Sequence, residues 1–433
     1  MTLSKALRKK RFAIYGLGIT GISVVNYFRK LKIKEFYVWD DSKEKRRHFK
    51  EKINIKLFSK KLNIVDYIIL SPGINIKKTK LKKPLLKNKH KIITDLDLFY
   101  MQNPDVRSIV ITGTNGKSTT CKIVEHLLKK NRFHTQLGGN IGKSILNSNK
   151  RKRTLFIIEA SSFQLAHSKF IKPNYAFILN VSKDHLDWHG SMRKYIQSKL
   201  KIFSLQEKND FAFLKDRKLI NMFNKNKNLS KLQSVSSKSY KKIKDKIHNK
   251  YLKSKANEEN MSFVYKLSKI LKIKNKAFLK SFREFNGLPH RHEIFFRKRK
   301  IRFINDSKAT SFESSRFALQ SNSNILWIVG GLPKLGDKFY LRNLKKNIIK
   351  SYIVGKHTKF FARQIKGKID FLVSKNLRFA VKKIFTEIKN IGLDKEITIL
   401  LSPASASYDQ YKNFEERGNE FKRLVKLYGK NFF

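Results

Sequence analysis

The string from Ser108 to Leu128 constrains this chain more than any other. An apolar run, Ser108-Ile109-Val110-Ile111-Thr112, ends in the short turn Gly113-Thr114-Asn115-Gly116-Lys117-Ser118-Thr119. The helical pattern Cys121-Lys122-Ile123-Val124-Glu125-His126-Leu127-Leu128 follows. Strand, Gly-rich loop and helix in that order form a phosphate cradle. Loop amides and the helix N-terminus face an anion, Lys117 adds a point charge, and the Ser118 hydroxyl can bind Mg²⁺. The spacing departs from the common G-x-x-x-x-G-K-[ST] form, because its first Gly position falls on Ile111. This short form points away from motors and GTPases and predicts an ATP-binding loop. A plain Gly turn ahead of a helix is the alternative, and the complete Gly-Lys-Ser-Thr ending weighs against it.

The same order recurs along the chain. Apolar runs at 12–15, 36–39, 67–70, 109–112, 156–158, 176–179, 325–329 and 397–400 alternate with helical patterns. Such alternation predicts an α/β protein whose parallel sheets are covered by helices, with ligands at the carboxyl edges of the strands. Gly16-Leu17-Gly18-Ile19-Thr20-Gly21 follows the first run, and Asp40-Asp41 closes the second. Alone, these features read as a dinucleotide fingerprint with its ribose-binding acid, so an NAD-dependent dehydrogenase is one reading. Any nucleotide or sugar diphosphate can use the same turn.

With 433 residues the chain has room for two or three domains. Thr94-Asp95 marks a new start and Gly287-Leu288-Pro289 breaks a helical stretch, which gives domains at 1–93, 94–287 and 288–433. Residues 215–256, rich in Lys, Asn and Ser, read as a solvated part of the middle domain or a partly disordered loop. The formal net charge of +65 would ordinarily suggest a nucleic-acid partner. The lysines, however, are spread along the whole chain rather than gathered on one element with interleaved aromatics. No specific nucleic acid is therefore expected, and a basic nucleic-acid-binding protein stands as the rival from another class.

The single Cys121 excludes an internal disulfide and suits a reducing compartment. Its place behind the phosphate loop makes it a packing residue. Basic residues up to Arg11 and the apolar run to Val25 imitate a secretory signal, but Gly16, Gly18 and Gly21 interrupt the run. No other segment approaches the roughly 18 apolar residues of a membrane span. A cytoplasmic monomer with no membrane partner is expected.

Further strings accumulate in order. They are Ser71-Pro72-Gly73-Ile74, Gly138-Gly139-Asn140-Ile141-Gly142, Glu159-Ala160-Ser161-Ser162-Phe163-Gln164-Leu165 and Asn180-Val181-Ser182-Lys183-Asp184-His185. Tyr195-Ile196-Gln197-Ser198-Lys199, Gly287-Leu288-Pro289-His290-Arg291, Asn305-Asp306-Ser307-Lys308-Ala309-Thr310 and Ser402-Pro403-Ala404-Ser405-Ala406-Ser407 follow. Together with the ATP loop these resemble the Mur ligase family of ATP-dependent amide-bond-forming enzymes, from about residue 12 to Gly418-Asn419-Glu420-Phe421. The chain departs from the family pattern at Ser405, Ser311 and Trp188-His189, where Cys, Asn and an Arg-aromatic pair are usual.

The resemblance implies a Rossmann-like N-terminal domain, a central P-loop ATPase-type parallel-sheet domain and a C-terminal Rossmann-like α/β domain. It implies transfer of the ATP γ-phosphoryl group to a carboxylate, then attack by an amino acid's amine on the acyl phosphate. UDP-N-acetylmuramoyl-L-alanine is the implied acceptor, at Gly18, Ile19, Thr20, Asp40, Asp41, Ser71, Gly73 and Asn140. D-glutamate is the implied amine, at Thr310, Lys334, Ser407 and Phe414. Sister enzymes with the same middle domain add other amino acids. ATP would meet Gly113, Thr114, Asn115, Gly116, Lys117, Ser118 and Thr119, with Asn257, Asn260, Arg291, Asp306 and Lys308. Two Mg²⁺ ions are implied, one at Ser118 and Glu159, the second at His185 and a carbamate on Lys199. Lys117, His185, Lys199 and Glu159 are the implied catalytic set. Residue by residue the alternatives are plainer: Glu159 as a helix cap, His185 as a structural histidine, Lys199 as a surface lysine. If sites lie on two domains, closure is expected to complete the centre, with Gly287-Leu288-Pro289 as hinge.

Overall fold

The structure, a computed structural model, describes residues 7–142, 144–148, 153–285, 287–334, 336–388 and 396–430. The chain divides into two compact units, 1–285 and 286–433. The first unit carries two wholly parallel sheets. One has four strands, β1 (Phe12–Tyr15), β2 (Phe36–Trp39), β3 (Tyr67–Leu70) and β4 (Ile92–Ile93), in the order β2-β1-β3-β4. The other has six: β5 (Arg107–Thr112), β6 (Thr135–Gly139), β7 (Leu155–Glu159), β8 (Tyr175–Ile178), β9 (Phe211–Leu214) and β10 (Lys231–Ser234). Their order is β10-β9-β8-β5-β7-β6, which puts the strand before the phosphate loop at the middle of the sheet.

These strands are legible because parallel strands are covered on both faces and so read as continuous apolar runs. Every residue of β1, β7 and β8 is buried. One core cluster runs from Phe12, Val24 and Phe28 of the first sheet's layer to Phe99, Phe156 and Phe203 of the second. The helix Asp95–Gln102 lies along this seam, started by a capping box between Thr94 and Asp97. Gln164 donates to Asp95 at 3.1 Å, and Asp97 accepts from the amides of Lys169 and Phe170. Burial first, and then Asp97, push the Asp95 carboxyl up to about 6, with the Gln164 bond opposing.

The lysine-rich 215–256 region is ordered where it is described. It forms the helix Arg217–Lys225, strand β10 and the helix Ser237–Lys244, and it buries Leu219, Phe223, Tyr240 and Ile243. Its apolar residues are sparse but fall at helical spacing, and the lysines take the solvent face.

The second unit has one six-stranded sheet in the order β11-β12-β16-β13-β14-β15. Its strands are β11 (Glu293–Lys298), β12 (Ile301–Asn305), β13 (Ile325–Gly330), β14 (Ile348–Val354), β15 (Phe371–Lys375) and β16 (Ile397–Leu401). All pairings are parallel except β11 with β12, a hairpin closed by Arg299 at φ 50° and Lys300. The parallel expectation fails at this edge because β11 is half exposed and partly basic, so no apolar run announces it. Among the described residues no helix is long and apolar enough to cross a membrane.

Candidate active site

The phosphate loop leaves β5 at its carboxyl end and enters the helix Lys117–Lys130 through Gly116 at φ 82°. A side chain on Gly116 would run into the carboxamide oxygen of Asn260, which stands over the turn. Asn260 in turn donates to Asn257 at 3.0 Å, and Asn257 donates to the Tyr251 carbonyl. Both asparagines are thus brought to the loop and buried beside it. A second strap comes from the end of β8. The Asn180 carbonyl accepts from the Thr114 amide at 2.9 Å, and its side-chain oxygen accepts from the Asn115 amide. Glu259 holds the Asn180 amide at 2.8 Å.

Three ionisable side chains gather around this loop. Lys117 donates to the carbonyls of Gly113 and Thr114 at 2.9 and 2.7 Å. Lys199 donates to the same Gly113 carbonyl at 2.9 Å and lies 4.6 Å over the Tyr195 ring. Lys199 is 1% exposed, so the plain reading of it as a surface lysine does not hold. Burial, then the nearby Lys117, hold its pKa well below the ordinary lysine value, with Asp184 opposing. The third is Glu159, which ends β7 and is buried. One of its oxygens accepts from Asn140 at 3.1 Å, and the other has no hydrogen-bond partner among the described residues. The cap that Glu159 could have supplied to the next helix is made instead by Ser161 with Gln164.

An orphaned, buried carboxylate oxygen beside a phosphate loop is suited to a hard cation. Mg²⁺ typically takes one or two carboxylates and completes its shell with phosphate oxygens and water. No group of three or more His, Cys, Asp or Glu side chains forms a ready metal cluster among the described residues. A single carboxylate with nucleotide phosphates fits that arrangement. Ser118 and Thr119 are buried at the helix start. Cys121 packs behind them, fully buried, and burial raises its thiol pKa well above normal, which disfavours the reactive thiolate.

His185 sits at φ 52° just after Asp184, 3.3 Å from its carboxylate, with its ring 4.7 Å from Phe163. Phe163 stacks on His189 at 5.7 Å and 7°, and His189 lies 3.0 Å from the Ser162 hydroxyl. Tyr195 closes the ring, with its hydroxyl 3.0 Å from Thr114. Asn180, Glu259, Tyr195 and His189 were not singled out as site residues by sequence, although Asn180 and Tyr195 lie inside strings that were. Their signal was position alone: Asn180 lies two residues past β8, and Tyr195 one helical turn before Lys199.

The first sheet carries a second turn of the same kind. Gly16 is at φ 100°, where a side chain would meet Ser71, and Gly18 caps the helix Ile19–Lys30. Ser71 donates to the Gly16 carbonyl at 2.8 Å. Asp40 accepts from the Leu17 amide at 2.6 Å and from Ser42 at 2.9 Å, while Asp41 accepts from Tyr15 and Trp39. Ile19 is exposed, Thr20 is half-buried, and Gly73 has open space around it. Of the eight residues assigned to this turn, Asn140 alone belongs to the other sheet, on Glu159.

In the second unit, the loops after β12, β13 and β16 adjoin one another. Asp306 is buried, accepting from Ser402 at 2.7 Å and from the His292 amide at 3.0 Å. Burial pushes its carboxyl up to about 7. Lys308 lies 5.0 Å over Phe414, and Ser307 donates to the Phe414 carbonyl. Thr310 is exposed and Ser407 buried. Leu332, two residues before Lys334, pairs with Ala406. Arg417, unremarked in the sequence, holds the carbonyls of Ser307 and Ser405 at 2.8 and 3.0 Å. Ser405 itself donates to Gly330 at 2.6 Å. Arg291 lies near enough to lower the Asp306 carboxyl.

Comparison with known proteins agrees with this architecture. Residues 111–278 match the Mur ligase middle domain, and residues 10–93 match the Mur ligase MurD-like N-terminal domain. The UDP-N-acetylmuramoylalanine–D-glutamate ligase of Rickettsia prowazekii (strain Madrid E) is 34% identical, over 97% of this chain and 99% of its own length. The enzyme of the same name from Wolbachia pipientis wMel is 31% identical, over 98% and 97%. Among solved structures, the fold resembles UDP-N-acetylmuramate–alanine ligase from Thermotoga maritima, with a TM-score of 0.57 at 17% identity, covering 98% of this chain and all of the other.

Proposed function

The chain belongs to the Mur ligase family, and from that premise we propose that it joins D-glutamate to UDP-N-acetylmuramoyl-L-alanine at the expense of ATP. The observation that carries this reading is near-full-length identity to D-glutamate ligases, together with a buried Lys-Glu centre at the phosphate loop. The reaction belongs to peptidoglycan precursor synthesis and takes place in the cytoplasm, in a monomer without a specific nucleic-acid partner.

A carboxylate resists an amine because its leaving group would be an oxide. Phosphorylation replaces that leaving group with phosphate. The carboxylate oxygen of the acceptor forms a bond to the γ-phosphorus as the bond to ADP breaks. The amine of D-glutamate then forms the C–N bond, loses a proton, and phosphate departs. Such chemistry rests on positioning and charge neutralisation. Lys117 and the turn from Gly113 to Thr119 hold the phosphates, with Asn257 and Asn260 on the nucleotide side of the turn. Ser118 and Glu159 would hold one Mg²⁺, and His185 with a carbamate on Lys199 a second. The ions would offset phosphate charge as it shifts between oxygens. The sealed position of Lys199 supports that role, because a neutral amine is the form that takes up CO₂. Arg291, Asp306 and Lys308 are assigned to ATP, and Thr310, Lys334, Ser407 and Phe414 to D-glutamate. Gly18, Ile19, Thr20, Asp40, Asp41, Ser71, Gly73 and Asn140 are assigned to the UDP-linked acceptor.

Phosphate release measured with UDP-N-acetylmuramoyl-L-alanine and a panel of amino acids tests the reading. D-glutamate should be required. Preference for L-alanine or diaminopimelate would move the chain to another branch of the family.

A further inference from the structure

The helix Met192–Leu200 shows two faces to two different places. Tyr195 and Lys199, one turn apart, face the phosphate loop. Lys194, Gln197 and, beyond the helix end, Lys201 follow the other helical stripe and line a separate cavity of about 370 Å³. Its opposite wall comes from the first sheet's connections, with Ile76, Lys77, Leu86 and Lys89, and its floor from His167 and Trp188. The volume lies within the range of small-molecule pockets, roughly 300–1,000 Å³.

The chemistry of this cavity is one-sided. Four lysines line it and no Asp or Glu does. Among the described residues Lys77, Lys89, Lys194 and Lys201 form no ion pair, Lys201 donating instead to the Ala166 carbonyl at 2.6 Å, while the same chain pairs Lys122, Lys129, Lys172 and Lys215 elsewhere. Lysines that merely reflect composition are dispersed, and these converge on one concavity. The field is strong enough to act on its neighbours. His167 has its pKa pushed down to about 4, first by burial and then by Lys201, Lys89 and Lys169. Two ring nitrogens of the same wall, Nε2 of His167 and Nε1 of Trp188, are buried without a partner among the described residues. Ile76, Leu86 and Trp188 supply an apolar side. A basic concavity with no acidic lining and an aromatic wall is suited to a compact polyanion carrying an apolar body, since lysines serve phosphate as point charges.

We propose that this cavity is a second ligand site, distinct from the phosphate loop, for a small phosphate monoester with an apolar or aromatic body. Of its lining residues only His189 also adjoins the candidate active site, and none carries a role assigned to the ligase reaction, so the proposal stands or falls apart from that reading.

Calorimetric titration of the full chain with phenyl phosphate tests it, at about 150 mM salt where distant surface charge is screened. The phosphate loop is first filled with a non-hydrolysable ATP analogue and the N-terminal turn with UDP. One saturable site is expected, with inorganic phosphate and phenol each binding more weakly. The double variant Lys77→Glu, Lys194→Glu should lose at least about tenfold in affinity, and Lys382→Glu, Lys383→Glu, an equal charge change on an exposed helix elsewhere, about twofold or less. Equal losses in both variants would reduce the effect to bulk charge and overturn the proposal. So would absence of saturable binding, or inorganic phosphate binding as tightly as phenyl phosphate. As a second readout on the unaltered chain, phenyl phosphate should slow amide exchange at 75–77 and 194–201; unchanged exchange there also refutes the site.

Discussion

Two turns in this molecule look alike and are built for different loads. Both leave the carboxyl end of a central parallel strand, bend at a positive-φ glycine and enter a helix. At the first, an internal carboxylate already occupies part of the cradle: Asp40 accepts from the Leu17 amide. At the second, the straps come from neutral Asn180, and two lysines lean on one carbonyl of the loop. The first turn therefore meets a ligand with its charge largely balanced, which suits docking. The second carries Lys117, a buried Lys199 whose charged form burial disfavours, and one buried carboxylate in reserve, which suits moving a phosphoryl group. The two backbones differ as well, since the first enters its helix through an extended Gly18 and the second through a left-handed Gly116, but the difference in charge lies in which side chains close the loop.

The sharpest way to break this contrast is Lys117→Ala. Turnover should fall by about a thousandfold or more, the scale of losing several kcal/mol of transition-state stabilisation. The melting temperature should hold, because the bonds Lys117 donates to the Gly113 and Thr114 carbonyls stay within one turn. Activity within about tenfold of the parent, on roughly 1.4 kcal/mol per decade, would take this turn out of the chemistry. Next in size is Lys199→Ala, expected to cost two to three decades, about 3–4 kcal/mol. Added acetate should restore part of the rate by standing in for carbamate oxygens. Full activity of Lys199→Arg would contradict that role.

The first turn should respond differently. Gly16→Ala adds a Cβ 2.6 Å from that of Ser71 at a φ of 100°, so it should destabilise the protein by about 1–3 kcal/mol. Chemical denaturation should show the loss, and KM for the UDP-linked substrate should rise while ATP binding is kept. A parallel loss of ATP affinity would mean that the two turns are not separable. The smallest effect is expected from Asp40→Asn. An amide oxygen can accept from Leu17 or Ser42 but loses the charge, a cost of about 1 kcal/mol. KM should shift a few-fold at most and kcat not at all.

The outline of both turns was legible because glycines and apolar runs are local signals. Strands β1, β2 and β3 lie where the runs predicted them, and the eight runs found eight of the sixteen strands among the described residues. Three of the misses have plain physical causes. β6 is only partly buried and ends in two glycines, and β10 and β11 are polar edge strands. The residues that distinguish the turns were harder to see. Asp40 announced itself at a strand end, but that its carboxylate faces Leu17 is a tertiary fact. Lys199 is one lysine among many in the sequence, singled out there only by its string with Tyr195 and its distance from Asp184-His185, and burial sets it apart in the fold. Arg417 had no local signal, since its partners Ser307 and Ser405 lie 110 and 12 residues away.

The strand order of the second sheet has a consequence for how the chain is made. β16, residues 397–401, lies between β12 and β13 and bonds to both. A ribosome delivers β12 and β13 some way ahead of the strand that must separate and join them. Until then their edges are open templates for pairing with another chain. The first unit waits less: β7, which lies between β5 and β6, directly follows β6 in the chain, and each strand described there is present once residue 234 has been made. Synthesis thus passes through a stage in which the phosphate loop stands finished while the second sheet waits for its centre. Chaperone demand and aggregation during expression should concentrate in that interval.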